Sequence, residues 1–256
     1  MRKRNYLQKL FILAILSLMF TLVLGMTALA ASKTSSLRNN KWYTDKSYGN
    51  KQTVYHKIKV TKPGLISVSG YRFSTYTSYK WPMGIRLCNS RKKELDTFTK
   101  YTSGSNSSKQ YYCVKKGTYY IKTNDSSYKL KYSFKAISDK SGSKQSNAKN
   151  LPRNKTAQGT LLLGESPSKS DWYKIVLPAP QRISFTYGAL ANNNWIEFKI
   201  VSASPYIRID NASTYRVNST KTETTQSVFP AGVYYIQVFR EGYKSACNGS
   251  YTLKWK

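Results

Sequence analysis

The chain has 256 residues and a formal net charge of +31, because 42 lysines and arginines face only 11 acidic residues. Twenty-two tyrosines and a shortage of helix-forming residues favour sheets over helices. With a single histidine, sites that require two histidines, such as the H-E-x-x-H zinc helix, are excluded.

The first 30 residues predict an export signal. An almost wholly apolar stretch at 10–24 leads to small residues at Ala28 and Ala30, where we expect cleavage. The basic residues that open such a signal are Arg2, Lys3, Arg4 and Lys9. The apolar stretch is also nearly long enough to span a bilayer, so an uncleaved anchor stays open. The expected location is secreted or extracellular, including association with the cell envelope, with no transmembrane segment after cleavage.

The rest of the chain repeats itself. Three segments of the first half return in order in the second: 57–60 (KIKV) as 174–177 (KIVL), 117–121 (GTYYI) as 232–236 (GVYYI), and 128–132 (YKLKY) as 251–255 (YTLKW). Between the copies, 138–150 (SDKSGSKQSNAKN) lacks large apolar residues and indicates a linker. The expected organisation is a signal at 1–30, a first domain at 32–137, the linker at 138–150 and a second domain at 151–256.

Alternation with a period of two predicts strands in each copy. His56, Ile58 and Val60 share one face, and Lys57 and Lys59 lie on the other. In 128–134 the aromatic and leucine side chains likewise alternate with Lys129, Lys131 and Ser133, and in the second copy Tyr251, Leu253 and Trp255 face inward. Short alternating runs at about ten-residue intervals predict an all-β fold of two tandem, jelly-roll-like β-sandwiches.

The second copy resembles the bacterial pre-peptidase C-terminal domains, and the first copy does so more loosely. The residues that carry the resemblance are 170–175 (SDWYKI), 231–236 (AGVYYI) and 249–253 (GSYTL). The resemblance implies a β-sandwich with a noncatalytic accessory or binding role. Some family members bind calcium through acidic loop residues, but Val54 stands in the first copy where Asp171 stands in the second. No metal site or cofactor is therefore expected.

No arrangement of residues indicates catalysis. His56 lies on the predicted inward face of its strand, which favours a core histidine over a catalytic base. Glu94 and Asp96 lie beside Arg91, Lys92 and Lys93, where a solvated, charge-balanced turn is favoured over a carboxylate pair. The chain is therefore expected not to be an enzyme.

Three cysteines lie in a chain with a predicted export signal, where disulfides persist. Cys88 and Cys113 both fall in apolar runs of the first copy, so a bridge between them is the candidate pairing, and reduced core thiols are the alternative. Cys247 has no metal-ligand spacing to a neighbour.

The positive charge gives the main functional hypothesis. Residues 32–140 hold more of it than 141–256, and the candidate polyanion-binding residues are Lys57, Lys59, Lys129, Lys131 and Lys135, which would form one basic face if their strands share a sheet. Such a face favours a noncatalytic module that binds teichoic acids, acidic polysaccharides or other glycans. A solvated lysine-rich surface without a ligand, a protein-interaction module and a hydrolase with an unrecognised site stay open. No nucleic-acid-binding signature is present.

Overall fold

The computed structural model describes residues 32–46, 52–74, 79–95, 106–192, 196–202, 212–214, 220–240 and 247–256. Their regular structure is made of strands, with one short 3-10 helix at Gln145–Asn147. The predicted signal, including its cleavage site at Ala28 and Ala30, lies outside the described residues. In the described ranges, no helix is long and apolar enough to cross a membrane.

The first half of the chain forms two sheets. The strands are β1 (Lys33–Ser36), β2 (Tyr43–Asp45), β3 (Val54–Val60), β4 (Gly64–Phe73), β5 (Lys80–Trp81), β6 (Arg86–Cys88), β7 (Ser108–Val114), β8 (Gly117–Thr123) and β9 (Tyr128–Ala136). Sheet A has the order β1-β3-β8-β6, and sheet B has the order β2-β9-β4-β5, with β7 also paired to β4.

The second half forms two further sheets. The strands are β10 (Lys149–Asn150), β11 (Thr156–Leu161), β12 (Asp171–Leu177), β13 (Ser184–Asn192), β14 (Ile196–Ser202), β15 (Ala212–Thr214), β16 (Lys221–Thr224), β17 (Gly232–Arg240) and β18 (Asn248–Trp255). Sheet C has the order β10-β12-β17-β14-β15, and sheet D has the order β11-β18-β13-β16. The chain therefore folds as two tandem β-sandwiches, as its alternation and repeat predict.

The two sandwiches share one topology. The path β1-β3-β8-β6 of sheet A matches β10-β12-β17-β14 of sheet C, and β2-β9-β4-β7 of sheet B matches β11-β18-β13-β16 of sheet D. The repeated sequence segments fall on matching strands: 57–60 and 174–177 on β3 and β12, and 128–132 and 251–255 on β9 and β18. The sequence repeat is thus a repeat of strand pairing.

A turn that lies outside the three repeated sequence segments also occurs once in each sandwich. The Leu37 amide donates to the carbonyl of Lys57 at 3.1 Å, and the Leu151 amide donates to that of Lys174 at 2.8 Å. Three residues later an asparagine with a positive φ, 58° at Asn40 and 64° at Asn154, donates its amide to the closing strand. Asparagine tolerates this backbone conformation, so the shared pattern Leu-x-x-Asn sets the entry into each sandwich.

Each sandwich encloses its own core. In the first, the inward residues of β3, β4, β8 and β9 meet, among them Ile58, Ile66, Ile121 and Leu130. In the second, Tyr173, Ile175, Ile236, Tyr251 and Leu253 are among the residues that pack together. Lys57 and Lys59 alternate outward as predicted, because β3 covers the core with one face only.

The stretch predicted as a linker is bound to the second sandwich. Its last two residues form β10, which pairs in parallel with β12, and Gly142 bridges Trp172. The Asp139 carboxylate accepts hydrogen bonds from the amides of Ser141 at 2.9 Å and Thr160 at 2.8 Å. The polar residues that indicate a linker in the sequence thus form hydrogen bonds in turns and at the edge of a strand.

The outer face of β7 contacts the second sandwich. Leu65, Tyr111, Cys113, Ile137 and Leu162 form a buried cluster, with Leu190 of β13 packed against it. In the same contact the Cys113 amide donates to the Asn248 side chain at 2.7 Å, and the Leu163 amide donates to the Cys113 carbonyl at 2.7 Å. One end of the outer face of sheet B is therefore covered, and its other end stays open.

Candidate functional site: a lysine and aromatic face

The five candidate lysines do not share a face. Lys57 and Lys59 lie on β3 of sheet A, whereas Lys129, Lys131 and Lys135 lie on β9 of sheet B. Both sheets close the same core, so their outward side chains point away from each other. The prediction of a single basic face is wrong, because alternation assigns a side chain to a face of its strand but does not assign the strand to a sheet.

The open end of sheet B brings together residues that are distant in sequence. Tyr71 on β4 is directly opposite Lys129 on β9, and Phe73 is opposite Lys80 on β5. Trp42, just before β2, completes this face. We call Trp42, Tyr71, Lys80, Lys129 and Lys131 the sheet B platform.

Cations and rings alternate on the sheet B platform. The ammonium of Lys131 lies 5.0 Å from the centre of the Trp42 ring, and that of Lys80 lies 5.0 Å from the centre of the Tyr71 ring. The rings of Trp42 and Tyr71 meet edge to face with their centroids 5.8 Å apart. Each distance falls within the range of a cation–π or aromatic contact, so each of these two lysines lies against a ring.

The sheet B platform combines exposed rings with uncompensated charge. The Trp42 side chain is 49% exposed. The exposed rings of Tyr79 and Trp81 stack on each other on the opposite side of β5, because Trp81 is paired with Arg72 rather than with Phe73. Among the residues that the structure describes, no salt bridge includes Lys80, Lys129 or Lys131. This end of the sheet therefore presents positive charge and ring surface together.

Sheet A balances part of its charge instead. Glu94 forms salt bridges with Lys122 at 2.7 Å and with Arg86 at 2.9 Å. The hydrogen bond from Lys122 lowers the pKa of Glu94 below its ordinary value. Glu94 is thus balanced by Arg86 of β6 and Lys122 of β8 and not by the basic residues beside it in the sequence. Asp96 lies outside the described residues.

Lys135 belongs to a different environment. It is opposite Leu65 on sheet B and lines a cavity of about 230 Å³, together with Ile137, Leu190 and Tyr251. The cavity lies where the two sandwiches meet. Lys135 is therefore separated from the sheet B platform by the covered end of the sheet.

His56 is buried in the core of the first sandwich. Its Nδ1 lies 2.5 Å from the Ser35 hydroxyl and its Nε2 lies 2.7 Å from the Tyr128 hydroxyl. In a Ser-His-Asp triad the ring nitrogen opposite the serine meets a carboxylate. Here the opposite nitrogen meets a phenol, and His56 has no exposed surface. This geometry supports the core histidine rather than the catalytic base.

The equivalent position in the second sandwich holds a chain of hydroxyls that ends on a carboxylate. The Tyr173 and Tyr251 hydroxyls are 3.0 Å apart, and Tyr251 donates to Asp171 at 2.8 Å. Burial raises the pKa of Asp171 from 3.8 to about 7, and the charge of Asp139 adds to this shift, while hydrogen bonds from Tyr251 and Ser141 oppose it. Burial likewise raises the pKa of Tyr251 well above its ordinary value.

The three cysteines are free and buried, so the predicted Cys88–Cys113 bridge is absent. Cys88 is on β6 of sheet A and Cys113 on β7 of sheet B. On β7, Tyr112 and Val114 enter the core of the first sandwich, which leaves Cys113 on the outer face. Burial raises the pKa of the Cys88 thiol to about 11 and that of Cys113 further, so both are poor nucleophiles.

In the part of the chain that the structure describes, no three or more histidine, cysteine, aspartate or glutamate side chains lie close enough together to hold a metal ion. Of the five lysines predicted from the sequence to bind polyanions, Lys129 and Lys131 belong to the sheet B platform. The aromatic part of the sheet B platform was missed, because Trp42, Tyr71 and Lys80 come from separate strands and turns. The one sequence feature that could have indicated this surface is Trp42, a tryptophan directly before the strand that begins with Tyr43.

No known family profile matches the chain, and no curated protein matches it. Among solved structures, it is similar to the pre-peptidase C-terminal domain of a collagenase from Bacillus anthracis, with 17% identity and a TM-score of 0.31. That match covers 42% of this chain and 93% of the collagenase domain.

Two similar structures are tandem modules. A CBM22-1–CBM22-2 tandem domain of Paenibacillus barcinonensis Xyn10C has 10% identity, a TM-score of 0.28, and coverage of 78% of this chain and 82% of that one. The CUB1-EGF-CUB2 domains of rat MASP-1 have 10% identity, a TM-score of 0.27, and coverage of 86% and 99%. TM-scores of this size carry no argument about function, so the family resemblance remains a prediction from sequence motifs.

Proposed function

We propose that the protein is an exported, noncatalytic binding protein whose first sandwich attaches to anionic polymers, such as teichoic acids or acidic polysaccharides, at the cell envelope or in the surrounding matrix. The observation that carries the proposal is the sheet B platform, where Lys80, Lys129 and Lys131 lie beside exposed rings and take part in no described salt bridge. Export rests on the predicted signal.

Charge supplies both attraction and salt dependence. The full chain has a formal net charge of +31, and only the four basic residues Arg2, Lys3, Arg4 and Lys9 lie in the predicted signal. The charge that remains after cleavage is far larger than solubility requires, and it raises the local concentration of polyanions around the protein. A polymer that contacts several lysines releases condensed counterions, so its affinity falls steeply as salt rises. The polymer backbone supplies this term whatever its chemical identity, so a surface of exposed lysines is sufficient for it.

The proposal is tested by titrating the full exported chain with wall teichoic acid and with heparin over a series of salt concentrations. We expect affinity to fall with rising salt, with a log-log slope that corresponds to about three or four lysine contacts. Reversing two platform charges with Lys129→Glu and Lys131→Glu lowers the affinity at least about tenfold and makes the slope shallower.

The matched control reverses two exposed lysines of the second sandwich, with Lys155→Glu and Lys256→Glu. Both double variants change the net charge equally, so a general charge effect lowers their affinities alike. Absence of binding, or binding that does not depend on salt, contradicts the proposal.

A further inference from the structure

We infer that the sheet B platform takes an acidic polysaccharide, a polymer in which sugar rings and anionic groups occur in the same repeat, rather than a polyanion without rings. This inference rests on the proposed function and names the class of polymer for the same surface. It follows from the pairing of the Trp42 and Tyr71 rings each with a lysine, and from the energies of the contacts that a ligand would exchange.

The lysines of the sheet B platform are held weakly before a ligand binds. Lys131 lies over the ring of Trp42 and Lys80 over that of Tyr71, both at 5.0 Å. A cation–π contact at an exposed site changes an equilibrium constant by only about twofold to fivefold, which corresponds to about 0.5–1 kcal/mol. A carboxylate or sulfate can therefore draw the ammonium away from its ring at small cost.

Displacing the lysine uncovers ring surface. The Trp42 side chain is already 49% exposed, and departure of the Lys131 ammonium frees more of its ring. A ligand that carries only charge leaves this aromatic surface in water. A ligand that places the apolar face of a sugar ring against it removes the surface from water and gains further affinity.

The arrangement of charges suits a chain laid along the sheet. Lys129 and Lys131 are two residues apart on β9, hence about 7 Å apart along the strand. Lys129 and Lys80 flank the β4 residues Tyr71 and Phe73 from opposite sides. A polymer that follows β4 thus meets a ring on the strand and a cation on each side.

Single-stranded nucleic acid also combines rings with charge. The proposed location at the cell envelope or in its matrix favours a polysaccharide over a nucleic acid. An oligonucleotide arm in the experiment separates the two.

The test compares the full exported chain with Trp42→Ala, using polygalacturonate, inorganic polyphosphate, methyl-esterified polygalacturonate and a single-stranded oligonucleotide as ligands. We expect Trp42→Ala to weaken polygalacturonate binding about tenfold and to leave polyphosphate binding unchanged. The esterified polymer, which lacks the charge, binds at least about tenfold more weakly than polygalacturonate. Tyr120→Ala removes a ring from the outer face of sheet A and leaves both affinities unchanged. Thermal melting confirms that each variant is folded.

Each alternative result has a distinct meaning. Equal effects of Trp42→Ala on polygalacturonate and polyphosphate, or no effect on either, overturn the inference while the proposed function stands. If the esterified polymer binds as tightly as polygalacturonate, the platform does not require acidic groups on its ligand, and the inference is overturned. Oligonucleotide binding of equal strength and equal dependence on Trp42 assigns the platform to nucleic acid instead. Failure of every polyanion to bind refutes the proposed function itself.

Discussion

The two sandwiches place different residues at one equivalent core position. His56 in the first and Tyr173 in the second both contact the closing-strand tyrosine, Tyr128 or Tyr251. A buried hydroxyl requires a hydrogen-bond partner, and either residue supplies one. The second sandwich extends this network to Asp171, where the first has Val54. The shared element is thus a partner for the tyrosine, which explains why a lone histidine here does not indicate catalysis.

Asp171 makes stability depend on pH. Its pKa is about 7 in the folded protein, above its ordinary value of 3.8, so the folded state retains a proton that the unfolded chain releases. The stability that this group contributes is full below about pH 4 and is lost as pH rises through about 7. In urea denaturation, we expect the free energy of unfolding of the native chain to fall between pH 5 and pH 8. In Asp171→Asn this fall should be smaller by on the order of 2 kcal/mol.

Tyr251, Tyr173, Ser141, Asp139 and Lys169 are the groups that surround this carboxyl, and the substitution leaves them in place. Glu223→Gln, on the β16 edge of the second sandwich, is the control that removes one acid elsewhere. An unchanged pH dependence in Asp171→Asn contradicts the assignment.

At the scale of elements, the sequence predicts which face of a strand is buried but not which strands become neighbours. Alternation correctly assigned Ile58 and Leu130 to the core and Lys57 and Lys129 to the outside. It did not reveal that β3 and β9 lie in different sheets, that Cys113 faces away from Cys88, or that Trp42 approaches Tyr71. Those facts depend on pairing between distant segments, for which one sequence offers no local signal.

The contact between β7 and the second sandwich predicts coupled unfolding. Leu162 is buried against Leu65 and Cys113, so Leu162→Asp places a charge in an apolar contact. We expect calorimetry to show a single thermal transition for the native chain and two for Leu162→Asp, with the lower melting temperature reduced by several degrees.

Val176→Asp, at a valine that is 48% exposed on sheet C, is the matched control and keeps the single transition. If the native chain itself shows two thermal transitions, the contact does not couple the unfolding of the two sandwiches, and the prediction is wrong.

At the scale of the whole molecule, the two copies differ in what they expose. The first carries more of the positive charge and the sheet B platform. On the face of the second that corresponds to sheet A, the opposed residues Val176 and Val233 are exposed where the first has Lys59 and Thr118. Under the proposed function, the first copy contacts the polymer, while the second covers the other end of sheet B.

The most direct test of this account compares equal charge reversals on the two faces of the first sandwich. Lys129→Glu with Lys131→Glu alters the sheet B platform, and Lys57→Glu with Lys59→Glu alters sheet A, with the same change in net charge. In titrations with wall teichoic acid and polygalacturonate at physiological salt, we expect the first pair to weaken binding at least about tenfold and the second about twofold or less. Equal losses from both pairs would show that net charge alone holds the polymer and would contradict a binding surface on sheet B.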